Sequence, residues 1–299
     1  MGKIARDQHV PAIAASDAFT LVAAIEPSGA VAEDVPTFPG VAALSASGVA
    51  VDAVAVCTPP QHRRAVADAA LAAGWHVLLE KPPASTLAEV AALESRAKEN
   101  DRTLFTAWHS RFAAGVDPAR KWLAGKTVRS VKIEWREDVR VWHPGQAWIF
   151  ASGGMGVFDP GINALSILTL LLDQSVWLEG GTLEVPSNAA APIAGSLDLR
   201  AAGGAPIAMA MDFLQAGPQT WTIAIETDAG QLLLEDGGSI LTLPNGSRNE
   251  GPDAEYPALY NEFARLIAAG ESAVDIAPLM LVADSMLRCE RRQVEPFIE

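Results

Sequence analysis

Apolar and polar residues follow two different rhythms along this chain. Between residues 5 and 105, runs with helical spacing alternate with short apolar runs, the pattern of βαβ units on a parallel sheet. The spacing predicts a helix over 6–16, strands over 20–25 and 51–57, and a turn at Thr58-Pro59-Pro60. An alanine-rich helix over 61–73, ended by Gly74, and a strand over 76–79 come next. Ser85 or Thr86 is placed to cap a helix over 87–100, and 104–108 is the last strand of this half.

After Trp108 the strand candidates lengthen, alternate apolar with polar positions, and succeed one another without helices between them. They span 128–138, 176–186, 195–202, 206–215, 219–227 and 231–243, as expected of an open, mostly antiparallel sheet with one covered face. A helix over 160–172 interrupts them, and an amphipathic pair over 256–269 and 276–292 closes the chain. The expected fold class is α/β: a Rossmann dinucleotide-binding domain over 1–108, then an α+β domain with a large open sheet over 109–299.

Composition narrows the function. The formal charge of −14 is spread over all 299 residues and no long basic run occurs, which argues against a nucleic-acid partner and favours a small neutral substrate. Cys57 and Cys289 are too few for a disulfide framework or a spaced metal site, so no metal is expected and a reducing cytoplasm is the expected location. No apolar stretch approaches the ~20 residues of a membrane span, and no signal-peptide core opens the chain.

A dinucleotide fold normally begins with a strand and a glycine-rich turn at a helix N-terminus. Met1-Gly2-Lys3-Ile4-Ala5 reads as the second half of such a turn, with Gly2 approaching the pyrophosphate and Ala5 in the helix-packing position. The first strand and first glycine are missing from this pattern. The expectation is that the natural protein begins about ten residues upstream, one strand and its turn. Glu26, at the end of the 20–25 strand, suits the two hydroxyls of an adenosine ribose and repels a 2′-phosphate, so NAD is expected, with NADP left open by Ser28.

With Gly2-Lys3-Ile4-Ala5, Thr58-Pro59-Pro60, Gly74-Trp75-His76-Val77 and Glu80-Lys81-Pro82 in order, the first half resembles the glucose-fructose oxidoreductase, inositol dehydrogenase and MocA family. Trp142-His143-Pro144-Gly145-Gln146 and the run from Gly153 to Asn163 are similar to its bacterial aldose dehydrogenases of the L-arabinose and D-galactose type. The resemblance implies hydride transfer from C1 of an aldose to NAD(P), giving an aldonolactone, and a homodimer or tetramer built through the open sheet. Two alternatives within it are oxidation of a ring alcohol, as in inositol, and a non-catalytic sugar and nucleotide sensor.

The resemblance also distributes roles. Lys81 follows a strand end, where open α/β sheets bind ligands, and is expected to hydrogen-bond the sugar oxygen as an acid/base dyad with Asp159. Asp159 before Pro160 also reads as an N-cap. Glu137, His143, Asn163 and Trp142 are expected to hold the sugar through carboxylate, imidazole, amide and aromatic face. Gly2, Lys3, Ile4, Glu26, Thr58, Pro59, His62, Glu80 and Lys81 are the expected cofactor contacts. Two residues depart from the family pattern: Asn163 stands where many members carry a histidine base, and Arg63 where they often carry histidine after the Thr-Pro turn.

Overall fold

A computed structural model describes residues 2–29 and 35–299. The chain divides into two compact units, Met1–Ala107 with Tyr256–Ile276, and Trp108–Glu255 with Ala277–Glu299. One boundary between the units falls between Ala107 and Trp108. The assignment of 256–276 to the first unit has no counterpart in the sequence pattern, because that helix lies far along the chain. Met1, part of the expected phosphate turn, falls outside the described residues.

The first unit opens with a helix whose Ala5–His9 segment is π-wound and runs into α1 (Val10–Ala14). β1 (Ala24–Ile25) pairs in parallel with β2 (Thr37–Phe38), and α2 (Val41–Ala46) follows. β3 (Ala53–Val56), β4 (His76–Glu80) and β5 (Leu104–Ala107) form a second parallel sheet in that order, with α3 (Pro60–Ala72) and α4 (Leu87–Glu99) as crossovers. Among the described residues no strand precedes the first helix, and the parallel strands stand as two sheets. The 20–25 strand contracts to two residues because only Ala24 and Ile25 have a paired neighbour.

Local sequence explains these elements. Thr86, not Ser85, caps α4: its hydroxyl accepts from the Glu89 backbone N–H, while the Glu89 carboxylate accepts from Thr86 in return. The apolar face of α3 supplies Ala67, Ala70 and Leu71 to a core with Val56, Val77, Leu79, Leu93 and Leu104. Burying such side chains stabilises the unit by roughly 1.5–3 kcal/mol each for the larger ones.

The second unit contains α5 (Val116–Leu123), β6 (Val128–Arg136), α6 (Val139–Trp142), α7 (Phe158–Leu172), β7 (Val176–Pro186), β8 (Ala194–Ala201) and β9 (Pro206–Asp212). β10 (Thr220–Thr227), β11 (Gly230–Glu235), β12 (Ile240–Thr242) and β13 (Arg248–Glu250) follow. Then come α8 (Glu255–Ala269), which from Tyr256 on belongs to the first unit, α9 (Ala277–Arg288) and β14 (Glu290–Val294). Nine strands form one sheet in the order β13-β12-β11-β10-β6-β9-β8-β7-β14. Only the β6/β9 and β7/β14 pairs are parallel.

Alternation along the strands covers one face. Val131, Ile133 and Trp135 of β6 lie with Ile207, Met209 and Met211 of β9 on the buried side, where the apolar α7 contributes Ile162, Leu165 and Leu168. Gly161 permits close packing there, since a Cβ on it would lie 2.6 Å from Met211 Sδ. Two expectations are corrected. The 231–243 strand is two strands, broken where Asp236, Gly237 and Gly238 all take positive φ. The 276–292 helix stops at Arg288, and Glu290–Val294 adds a polar edge strand to β7 instead; its exposed charges suit an unpaired edge.

Candidate active site

In the first unit, Glu26, Thr58, Pro59, Glu80 and Lys81 of the expected cofactor residues lie at or just past the carboxyl ends of parallel strands, while Gly2, Lys3 and Ile4 lie at the first helix. Cys57 and Thr58 follow β3, Glu80 ends β4 and Lys81 comes after it, with β3 and β4 paired from Ala53–His76 to Val56–Leu79. Thr58 Oγ1 is buried without a hydrogen-bond partner among the described residues, so it awaits a donor or acceptor from outside the fold. Gly2 lies at the start of the first helix, its carbonyl accepting from Arg6 N–H, and a Cβ there would meet nothing within 4 Å. Ala5 is buried, as the packing position requires. Ile4 is half-buried, and Lys3 ion-pairs with Asp7. Glu26 follows β1 and its carboxylate accepts from Ser28 N–H at 3.0 Å. Pro59 precedes α3, whose first turn leaves His62 exposed.

Glu80 itself faces inward. It is 2% exposed. Its Oε1 accepts from Tyr256 Oη at 2.7 Å and lies 3.0 Å from His9 Nε2, and its Oε2 accepts from the backbone N–H of Lys81 at 2.9 Å. The other nitrogen of His9 meets Tyr260 Oη at 2.9 Å. The Glu80 carboxylate thus anchors a buried network, and Lys81 beside it is half-buried. Burial opposes charge on His9, but Cys57 and then Glu80 outweigh it and hold the imidazole well above its ordinary value. Burial pushes the Tyr260 phenol up.

The second unit gathers the expected sugar ligands. Glu137 follows β6 and is 1% exposed; its backbone N–H donates to Asp212 O, which ties it to the end of β9. Its Oε1 lies 3.1 Å from His143 Nε2, and its Oε2 accepts from Trp221 Nε1 at 2.9 Å. A carboxylate only accepts, so a neutral His143 carries its proton on Nε2 and presents Nδ1 as an acceptor. That Nδ1 stands 3.9 Å from Asp159 Oδ2, beyond hydrogen-bond reach. Two acceptors side by side suit a hydroxyl donor from a polyol.

Asp159 does not cap α7. The helix begins at Phe158 with Val157 as N-cap, which places Asp159 buried within the first turn, where the helix dipole favours negative charge. The preceding glycines set this entry. Gly156 has φ of 55°, and a Cβ on it would lie 2.0 Å from Pro192 O; one on Gly154 would lie 2.3 Å from the Trp148 and Ile149 carbonyls. One helical turn after Asp159, Asn163 buries Oδ1 without a hydrogen-bond partner among the described residues.

Trp142 is 40% exposed and tilts against Trp221 at 4.8 Å, which in turn stacks on Trp135 at 6.0 Å. The structure therefore brings Glu137, His143, Asp159 and Trp142 to one region and adds Trp221, which the sequence pattern did not single out. Only the β6/β10 register, Trp135 opposite Trp221, reveals it. Arg111 donates to Ser166 O and Thr169 Oγ1 of α7, and His109 meets Glu255 at 2.5 Å; both tie elements together. His143 also borders a cavity of about 380 Å³ lined by Gln146, Phe150, Asn188 and Phe297.

Parallel strands joined by helical crossovers, with Thr58, Glu80 and Lys81 at their carboxyl ends, have the arrangement of a nucleotide-binding unit. Residues 1–108 match the model of an oxidoreductase family with an NAD-binding Rossmann fold, and the chain belongs to that family. A galactose 1-dehydrogenase of Pseudomonas fluorescens is 44% identical over 298 residues, 100% of this chain and 96% of that protein. The crystal structure of a D-galactose-1-dehydrogenase protein from Rhizobium etli matches with a TM-score of 0.94 at 47% identity, covering 100% of this chain and 96% of that one. A 3-ketoreductase from Actinomadura kijaniata in complex with TDP-benzene and NADP, at 18% identity and a TM-score of 0.83 over 98% and 96% of the two chains, shares the fold. Among the described residues no helix is long and apolar enough to cross a membrane.

Proposed function

We propose that this enzyme oxidises C1 of an aldose of the D-galactose or L-arabinose type, giving an aldonolactone. The observation that carries the reading is Asn163 Oδ1, a buried acceptor lacking a protein donor one turn from Asp159. A buried carbonyl left so costs about 1–3 kcal/mol unless a ligand hydroxyl satisfies it. The similarity to galactose 1-dehydrogenases supports the substrate class.

The cofactor, when bound, supplies the hydride acceptor. Gly2, Lys3 and Ile4 at the first helix would receive its pyrophosphate, Glu26 its adenosine ribose, and Thr58, Pro59 and His62 the rest, with NAD favoured and NADP possible. Glu137, His143 and Asn163 bind sugar hydroxyls, and Trp142 covers an apolar face, which together orient C1. Lys81 and Asp159 share the proton chemistry: the ammonium stabilises developing alkoxide charge and the carboxylate takes the proton. The ring oxygen makes an anomeric hydroxyl more acidic than an ordinary alcohol, so Asn163 in place of a histidine base is tolerable.

The same reading places the enzyme in the cytoplasm as a homo-oligomer joined through the open face of its sheet, where β9 presents Ala208 and β8 presents Ser196 to solvent. A screen of NAD and NADP reduction against aldoses and inositols tests the function. Acid released as a lactone hydrolyses supports C1 oxidation. A ketose or keto-inositol product overturns it, and sugar binding without turnover identifies a sensor.

A further inference from the structure

Arg63 is 3% exposed, on the first turns of α3, and its guanidinium reaches three backbone carbonyls in two different segments. Nη1 donates to Glu80 O at 2.7 Å and also to Pro82 O, and Nη2 donates to Thr58 O at 2.5 Å. The first two carbonyls belong to the residues on either side of Lys81. The third belongs to the turn after β3.

We propose that Arg63 is the positioning residue of Lys81, clasping the backbone on both sides of it and fixing that segment to the Thr58 turn. The inference rests on the proton role given to Lys81 above. A guanidinium is planar, permanently charged and carries five N–H donors, so one group can serve three acceptors held at fixed angles. An ammonium has a single donor centre, and an imidazole has two nitrogens; neither spans both segments in the same way. The Lys81 N–H is meanwhile held by Glu80 Oε2, so the main chain at this residue is fixed through its own N–H and through both neighbouring carbonyls. Removing the clasp frees the main chain that aims the lysine without touching its side chain. Catalysis is sensitive to that aim, since displacements on the order of 1 Å reduce rates about a hundredfold.

The test compares Arg63→Lys, Arg63→Gln and Lys81→Ala as full-length proteins, assayed with NAD and the sugar that gives turnover. Circular dichroism and melting curves first establish which variants are folded at the assay temperature. The expected result for folded Arg63→Lys is a fall in kcat of at least about tenfold with sugar KM changed less than about threefold, and a shifted pH profile of kcat. A folded Arg63 variant with unchanged kcat and pH profile overturns the proposal. If neither Arg63 variant folds, exchange of the Arg63 guanidinium protons in the unaltered enzyme decides it: Nη protons held by three carbonyls should exchange slowly, and exchange as fast as that of an exposed arginine overturns the clasp. Full turnover by Lys81→Ala would instead sink the role given to Lys81, a different outcome from loss of the clasp.

Discussion

Trp221 donates its indole N–H to Glu137 Oε2 at 2.9 Å, joining residues 84 positions apart in the sequence. Trp221→Phe keeps an aromatic ring against Trp135 and Trp142 but strips a donor from a buried carboxylate. Urea unfolding should show a loss of about 1–3 kcal/mol, and sugar KM should rise roughly tenfold as Glu137 loses its orientation. An unchanged KM would show that Glu137 does not meet the sugar.

Gly156 is fixed by its surroundings. Its φ of 55° disfavours side chains, and a Cβ would press on the Pro192 carbonyl at 2.0 Å. Gly156→Ala should therefore destabilise the protein by roughly 2–4 kcal/mol, the sum of a strained backbone and an overlap. Denaturation curves measure the first effect. The same change displaces the start of α7, so kcat should fall along with stability, since Asp159 sits in that turn.

His9 gives a dependence on pH with a defined sign. Its folded-state pKa is raised well above 6.5, with Cys57, Glu80, Tyr256 and Tyr260 facing it from the elements packed around it. The stabilisation from its proton is fully present below about pH 6.5 and is lost as pH rises through the folded-state value. The stability difference between the unaltered protein and His9→Asn, followed by urea unfolding, should be largest on the acidic side and shrink toward alkaline pH. A difference that grows with pH would contradict a charged His9.

Glu26 should set cofactor choice. Its carboxylate follows β1 and is oriented by the Ser28 N–H. Replacing it in Glu26→Ala removes a repulsion of about 1 kcal/mol toward a 2′-phosphate, so the NADP/NAD ratio of kcat/KM should rise about five- to tenfold. An unaltered ratio would place the ribose elsewhere.

Much of this was legible in the sequence wherever pattern and local chemistry agree. The Thr86 cap, the α3 and α4 crossovers and the long strands follow from apolar spacing and turn residues. What escaped depends on partners distant in sequence. Asp159 before Pro160 has the form of a cap, yet Val157 already takes helical φ/ψ and the helix starts one residue before Asp159. Trp221 carries no motif and acquires meaning only from its register opposite Trp135. Arg63 looked like the loss of a family histidine; only the fold shows the three carbonyls it holds. Glu290–Val294 lacks apolar alternation because an edge strand exposes both faces.

The bond from Tyr256 to Glu80 spans 176 residues, and the one from Tyr260 to His9 spans 251. The carboxylate beside Lys81 therefore cannot be fully satisfied while the chain is still emerging from the ribosome: nearly the whole open sheet must be synthesised before α8 arrives to close the network. The nucleotide-binding half is begun first and finished almost last, so a nascent chain stalled anywhere before residue 256 holds an incomplete cofactor unit, however well its first hundred residues have folded.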